Sequence, residues 1–163
     1  MGTPGAFERI MRLLDDPMLI ATTAGGGERS GCLVAFATQC SIHPPRYLIC
    51  ISDKNHTYRV LDAGAAAIAV HFVPAGADRL VEVFGGETGD EEDKFAGVAW
   101  TEGAGGVPVL DECPTWFAGR IVDRTVLGDH VGFVLDPFDG SADYEGPFFP
   151  FSRAKDVKPG HPA

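Results

Sequence analysis

The sequence predicts a mainly β fold, a mostly antiparallel sheet closed or nearly closed into a barrel, with short helices at its periphery. Three observations carry this reading. Most of the apolar residues fall in short runs rich in Val, Ile, Thr and aromatics, bounded by Gly, Pro or Asp. Several of these runs are joined by connections short enough to be hairpins. The helical segments are too few and too short to cover both faces of a parallel sheet, so antiparallel pairing is expected, and closure leaves no exposed edge.

Taken in order, "FERIMRLL" at 7–14 places Phe7, Ile10, Met11 and Leu14 on one helical face, and Asp15-Asp16-Pro17 stops the helix. The runs "MLIATTA" (18–24), "CLVAFATQCSI" (32–42), "RYLICIS" (46–52) and "AAIAVHFV" (66–73) then read as strands. Gly25-Gly26-Gly27-Glu28-Arg29 reads as the hairpin loop between the first two. "HTYRVLDA" (56–63) is a short amphipathic helix capped by Asn55 or Thr57 and closed by Gly64. "ADRLVEVFG" and "DEEDKFAG" read as two further short helices, and 115–127 and 130–136 as two more strands turning at Gly128-Asp129. The tail "YEGPFFPFSRAKDVKPGHPA" holds four prolines and reads as irregular; its "PFFPF" segment is a candidate flap over the site of a partner copy.

The 163 residues, 45% of them hydrophobic, suit one globular domain spanning 1–163 with a full core. A net charge of −10 with only 13 Lys and Arg speaks against nucleic acid as a partner. No apolar run reaches the roughly 20 residues of a membrane helix and the start lacks a signal-peptide pattern, so no membrane association and a cytoplasmic location are expected. Cys32, Cys40, Cys50 and Cys113 match neither a zinc nor a dithiol spacing; three lie in apolar runs, where a thiol acts as a small hydrophobe. The five histidines are too scattered for a helical metal motif, and no metal is assigned.

"SIHPPRYLICISDKNHT" (41–57) joins a Pro-Pro corner, an apolar strand and a cluster of donors. The strand ends where a helix begins. A helix start offers unpaired N–H groups and partial positive charge, Lys54 and Arg59 add full charges, and Asn55, His56 and Thr57 add directional donors. That composition suits a phosphate. Ordinary capping with solvated Lys54 and Arg59 is the alternative, and the spacing alone favours it.

These residues belong to an ordered series of motifs that resembles the flavin reductase family from about residue 18 to about residue 137. "LIATT" resembles its first strand, Gly31 to Pro45 its second strand ending in Ser-x-x-Pro-Pro, and "SDKNHTY" its phosphate segment, with Asn55 and Thr57 at the matching positions. Phe84-Gly85, Lys94-Phe95, "GVPVL" and "GDH" resemble its later signatures. The resemblance implies an FMN-binding split barrel of mostly antiparallel, Greek-key strands with short peripheral helices. It further implies a homodimer with flavin near the subunit interface, FMN or alternatively FAD as cofactor, and NADH or NADPH as electron donor. By the same resemblance the flavin would be held by backbone groups of the first two strands at Thr22, Thr23, Val34, Ala35, Phe36, Ala37, Thr38 and Gln39, with side-chain donors at Thr38 and Gln39, by Lys54, Asn55, His56 and Thr57 at its phosphate, and by Phe84, Gly85 and Lys94; His130 would orient the nicotinamide. One departure stands out. Where the family carries Thr-x-Ser-Ser-Phe, this chain has Leu33-Val34-Ala35-Phe36-Ala37, so the hydroxyls are absent.

The implied activity is NAD(P)H:flavin reduction, with a monooxygenase as recipient of the reduced flavin. A flavin carrier without turnover and a deazaflavin-dependent oxidoreductase are the alternatives. Flavin chemistry needs no strong protein acid or base, in accord with a sequence lacking a nucleophile or paired-carboxylate signature.

Overall fold

The computed structural model describes residues 4–86 and 93–154. Helix α1 (Pro4–Leu13) precedes strands β1 (Leu19–Gly25), β2 (Glu28–Val34), β3 (Ala37–Ser41) and β4 (Arg46–Ser52). Helix α2 (His56–Asp62), strand β5 (Ala67–Phe72) and helix α3 (Asp78–Gly86) follow. After a 3₁₀ turn at Lys94–Gly97 come the short strands β6 (Trp100–Glu102) and β7 (Pro108–Leu110), the long strands β8 (Thr115–Val126) and β9 (His130–Ala142), and the one-turn helix α4 (Phe151–Ala154).

Seven strands form one antiparallel sheet in the order β2-β1-β5-β8-β9-β4-β3, and β6 pairs with β7 beside it. The two outer strands of the large sheet, β2 and β3, are consecutive in sequence and joined only by Ala35 and Phe36. Three Cα–Cα steps reach at most roughly 11 Å, so the sheet has to curl until its two edges lie side by side. The inner core records the same curvature. Val34 of β2, Ile49 and Ile51 of β4, Val70 of β5 and Phe133 and Leu135 of β9 share one hydrophobic cluster, to which α2 adds Val60 and Leu61. A flat sheet of this order would keep β2 and β4 far apart.

β1 is buried on both faces, which explains its uninterrupted apolar run. Leu19 and Ala21 point into the barrel core, while Ile20 joins a second cluster with Leu80, Val81 and Phe84 of α3 and Phe95. At the tip of the β1–β2 hairpin Gly26 and Gly27 both take positive φ (60° and 79°), as a two-residue turn matched to strand twist requires. Gly31 serves a different need: a Cβ there would lie 2.7 Å from the buried Phe84 ring, so glycine lets α3 approach the sheet.

Several expectations are corrected. The run 32–42 is two strands, because the chain passes between sheet edges at Ala35–Phe36. Glu28 and Arg29 belong to β2 and not to the hairpin loop. β9 continues to Ala142, six residues past the expected end, since Pro137 falls beside a register shift opposite Gly119, where the ladder tolerates a proline. β6 and β7 were not expected. The helix expected over 90–97 is a 3₁₀ turn from Lys94; 90–92 lie outside the described residues. Of the cysteines in apolar runs Cys32 is buried as expected, but Cys40 is exposed on the edge strand β3 and Cys50 is only half-buried; Cys113, outside those runs, is buried as well.

The aromatic tail is also ordered differently from a flap. Phe149 is buried in the core, with its N–H donating to the Val73 carbonyl at 2.8 Å and its carbonyl accepting from Met18 N at 2.8 Å. Asp15 accepts from Ser152 N and Oγ at 2.7 and 2.9 Å. The segment is thereby stitched to its own chain.

Candidate functional site

A cavity of about 810 Å³ opens beside the seam where the sheet edges meet. Ala35 and Phe36 of the joint, Cys50 of β4 and the Leu127–His130 turn form one wall; Phe7, Met11 and Leu14 of the N-terminal helical segment and Phe151 form the other. The volume is in the range of cofactor sites, and so is the mixture of apolar walls with a few convergent polar groups.

The wall is rigid for reasons visible in the ladder. Cys50 N–H donates to the Phe36 carbonyl at 2.9 Å, holding the joint against β4. Cys50 lies opposite Gly132 in the β4–β9 register, and Ser52 opposite His130, which carries the turn into the same corner. Burial pushes the Cys50 thiol up, so it stays protonated and lines the wall as an apolar group.

His130 and Asp129 form a polar pair at the rim, with Glu8, Arg12 and Asp16 on the opposite wall. The His130 Nδ1 lies 2.7 Å from Asp129 Oδ1, and the His130 ring sits 5.0 Å from the Phe36 ring at an interplanar angle of 53°. The hydrogen bond from His130, then its charge, hold the Asp129 carboxyl below the usual carboxylate range. Nε2 has no hydrogen-bond partner among the described residues.

The rim connects directly to the start of α2. Asp53 N–H donates to the Asp129 carbonyl at 3.0 Å, and Lys54 Nζ lies 3.5 Å from Asp53 Oδ1. Asn55 caps α2 by accepting from Thr57 N at 2.9 Å, and the Thr57 hydroxyl pairs with Ser30 Oγ at 2.8 Å inside the protein. His56 Nε2 meets Glu28 Oε1 at 2.5 Å while Arg59 Nη2 lies 3.3 Å from His56 Nδ1. The capping role expected of Asn55 is therefore present, and Thr57 faces inward.

The predicted site residues divide into three groups. Ala35, Phe36 and His130 line the cavity, and Lys54, Asn55, His56 and Thr57 sit together at the adjoining helix start. Ala37, Thr38 and Gln39 continue along β3, where the Thr38 and Gln39 side chains donate to the neighbouring carbonyls of Gln39 and Ser41. The remaining residues lie behind the wall. Thr22 and Thr23 are fully buried, with hydroxyls donating to the carbonyls of Pro108 at 2.5 Å and Ala67 at 2.7 Å. Val34 and Phe84 are core residues, and Gly85 lies on α3. Lys94 is buried, with Nζ donating to the carbonyls of Gly31 and Phe84 at 3.1 Å each. Thr22 thereby ties β1 to β7 of the small sheet, Thr23 ties β1 to β5, and Lys94 ties α3 to β2. Sequence reasoning missed Cys50, Leu127 and Asp129 as wall and rim; the period-two alternation of β4 was the signal that could have found Cys50.

The comparisons with known proteins agree with this architecture. The family model described as "Flavin reductase like domain" matches residues 11–150. This chain belongs to the flavin reductase family. Among curated relatives, FMN reductase (NADH) RutF of Bradyrhizobium diazoefficiens is 30% identical over 127 residues, 78% of this chain and 69% of the relative. Among solved structures, a flavin reductase domain protein from Arthrobacter sp. FB24 superposes with a TM-score of 0.80 at 21% identity, covering 91% of each chain. A nitrilotriacetate monooxygenase component B homologue from Mycobacterium thermoresistibile superposes with a TM-score of 0.77 at 19% identity, covering 93% of this chain and 88% of the other. These likenesses establish the flavin reductase split barrel as the fold, seen here as the curled sheet with its seam at Ala35–Phe36.

The described residues fit a flavin. A flat ring with apolar faces matches the cavity walls, and the start of α2, which the Asp53–Asp129 bond places next to the rim, brings the cations Lys54 and Arg59 close to it, alongside Asp53 and Glu28.

Proposed function

We propose that this protein is an NAD(P)H-dependent flavin reductase that binds FMN, with FAD as the alternative, and passes reduced flavin to a monooxygenase. The observation that carries the proposal is the continuity from a largely apolar cavity, past His130, to the helix start that carries Lys54 and Arg59. The FMN reductase (NADH) relative supports FMN and NADH, and the monooxygenase component B homologue supports a monooxygenase as recipient.

In this reading Ala35 and Phe36 hold the ring, and Lys54, Asn55, His56 and Thr57 hold the anionic tail. A bound flavin supplies the hydride-accepting chemistry. The chain's own contributions are exclusion of water by Phe7, Met11, Leu127 and Phe151 and orientation of the donor by His130, whose ring Asp129 fixes. Thr22, Thr23, Val34, Phe84, Gly85 and Lys94 keep that frame rigid from behind, and Ala37, Thr38 and Gln39 extend the edge beside it.

A second copy of the chain completes the assembly. α1 presents an amphipathic surface whose apolar residues Phe7, Ile10 and Met11 are exposed, Phe7 by 66%, and Leu14 just past its end and Leu127 at the cavity mouth are exposed as well. So much contiguous apolar surface marks an interface. Sedimentation of the protein is expected to give a dimer, and Ile10→Glu is expected to give a monomer; a wild-type monomer at micromolar concentration would refute the assembly. For the activity, titration with FMN and FAD followed by NADH or NADPH oxidation is the test. Uptake of flavin with turnover supports the proposal, flavin uptake without turnover reduces it to a carrier, and no uptake rejects it.

A further inference from the structure

Among the described residues, none that lines the cavity carries a hydroxyl or a side-chain amide; apart from the charged groups Glu8, Arg12, Asp16 and Asp129, these walls are aliphatic, aromatic, thioether and thiol, with His130 at the rim. A planar heteroaromatic ring placed there finds few neutral side-chain donors along its edge, so its faces have to supply the recognition. Phe36 is built for that. It is 57% exposed, yet its backbone is fixed by the 2.9 Å bond from Cys50 N to its carbonyl, and its ring meets that of His130 at 5.0 Å and 53°. His130 is in turn fixed by Asp129. Two π surfaces held at an angle on pinned backbone form a corner into which a flat ring can lie.

Resting on the flavin reading above, we propose that Phe36 is the specificity-determining residue of the cavity: with His130 it forms a platform that holds a planar heteroaromatic ring by its face. Neutral edge recognition by side-chain hydroxyls is replaced by stacking. The ring is that of the flavin or of the nicotinamide, which share this chemistry, and the experiment separates them.

Phe36→Ala, Phe36→Ser, Phe36→Leu and Phe36→Tyr are each titrated with FMN, with FAD and with NADH, and their melting temperatures are compared with the wild type to confirm folding. Stacking on one aromatic face predicts about a tenfold rise in dissociation constant for Phe36→Ala and Phe36→Leu. No recovery is expected in Phe36→Ser, although it restores a hydroxyl, and near-wild-type binding is expected in Phe36→Tyr. A loss confined to FMN and FAD assigns the platform to the flavin, and a loss confined to NADH assigns it to the nicotinamide; either supports the proposal. Dissociation constants of Phe36→Ala within twofold of wild type for all three ligands would overturn it, as would Phe36→Ser or Phe36→Leu binding like wild type. Wild-type protein that takes up neither flavin nor NADH overturns the flavin reading and this inference with it, which distinguishes the two failures.

Discussion

Two histidines on neighbouring parts of the same sheet show how differently this fold treats one side chain. His71, on β5, is fully buried, and both ring nitrogens are occupied: Leu110 N–H donates to Nε2 at 3.0 Å, so Nδ1 carries the proton and donates to the Ile20 carbonyl at 3.0 Å. The neutral ring clasps β1 to β7 and fastens the small sheet to the barrel. His130 sits at the cavity rim with one nitrogen on a carboxylate and the other without a protein partner among the described residues. The first histidine belongs to the core because its hydrogen bonds are complete. The second belongs to the site because its own are not.

Removing the clasp is the most damaging way to probe this contrast. His71→Phe fills the space but leaves the buried Leu110 N–H unpaired, at about 1–3 kcal/mol. An equilibrium denaturant titration should therefore show a loss of roughly 1–3 kcal/mol, and a variant as stable as wild type would contradict the clasp. Acid probes the same ring without mutation. Burial lowers the His71 pKa to about 4, against the hydrogen bond to Ile20, which raises it, whereas in the unfolded chain it titrates near 6.5. The unfolded state takes up the proton first, so this contribution is intact above pH 6.5. It is lost as pH falls toward about 4 and amounts to about 3 kcal/mol there. Stability curves at pH 7 and pH 4.5 should differ accordingly, and much of the difference should vanish in His71→Phe.

Gly31→Ala tests the frame behind the cavity. Its Cβ meets a Phe84 ring that is itself packed in the core, and overpacking of this kind typically costs 1–3 kcal/mol, read as a lower melting temperature. The smallest expected effect on stability belongs to His130→Ala, within about 0.5 kcal/mol of wild type because its ring is half-buried at the rim and its hydrogen bond goes to an exposed carboxylate. The same variant should lower kcat/KM for the nicotinamide about tenfold, equivalent to about 1.4 kcal/mol of transition-state stabilisation. A His130→Ala protein that loses stability but keeps its turnover would reverse the contrast with His71.

The same contrast marks how far the sequence could be read. Strands whose apolar runs are bounded by Gly or Pro, the Asn55 cap and the turn at Gly128-Asp129 were legible because each is a local signal. The helix start at 54–57 and the position of His130 were legible for the same reason. Thr22, Thr23 and Lys94 were assigned to the ligand by resemblance to the family; no local signal says that the sheet turns their side chains inward onto backbone carbonyls. Residues 32–42 looked like one strand because the break at Ala35–Phe36 arises from closure of the whole sheet. β6 and β7, three residues each, have no period long enough to detect.

The two-residue joint between β2 and β3 gives the molecule an uneven tolerance to change in length. Extra residues at the Gly26-Gly27 tip would lengthen a hairpin that already points into open space. One extra residue between Val34 and Ala37 would slacken the tether that draws the outer strands together and swing Phe36 away from His130 in the same stroke. Natural and engineered variation should accordingly accumulate at the tip and be nearly absent from the tether.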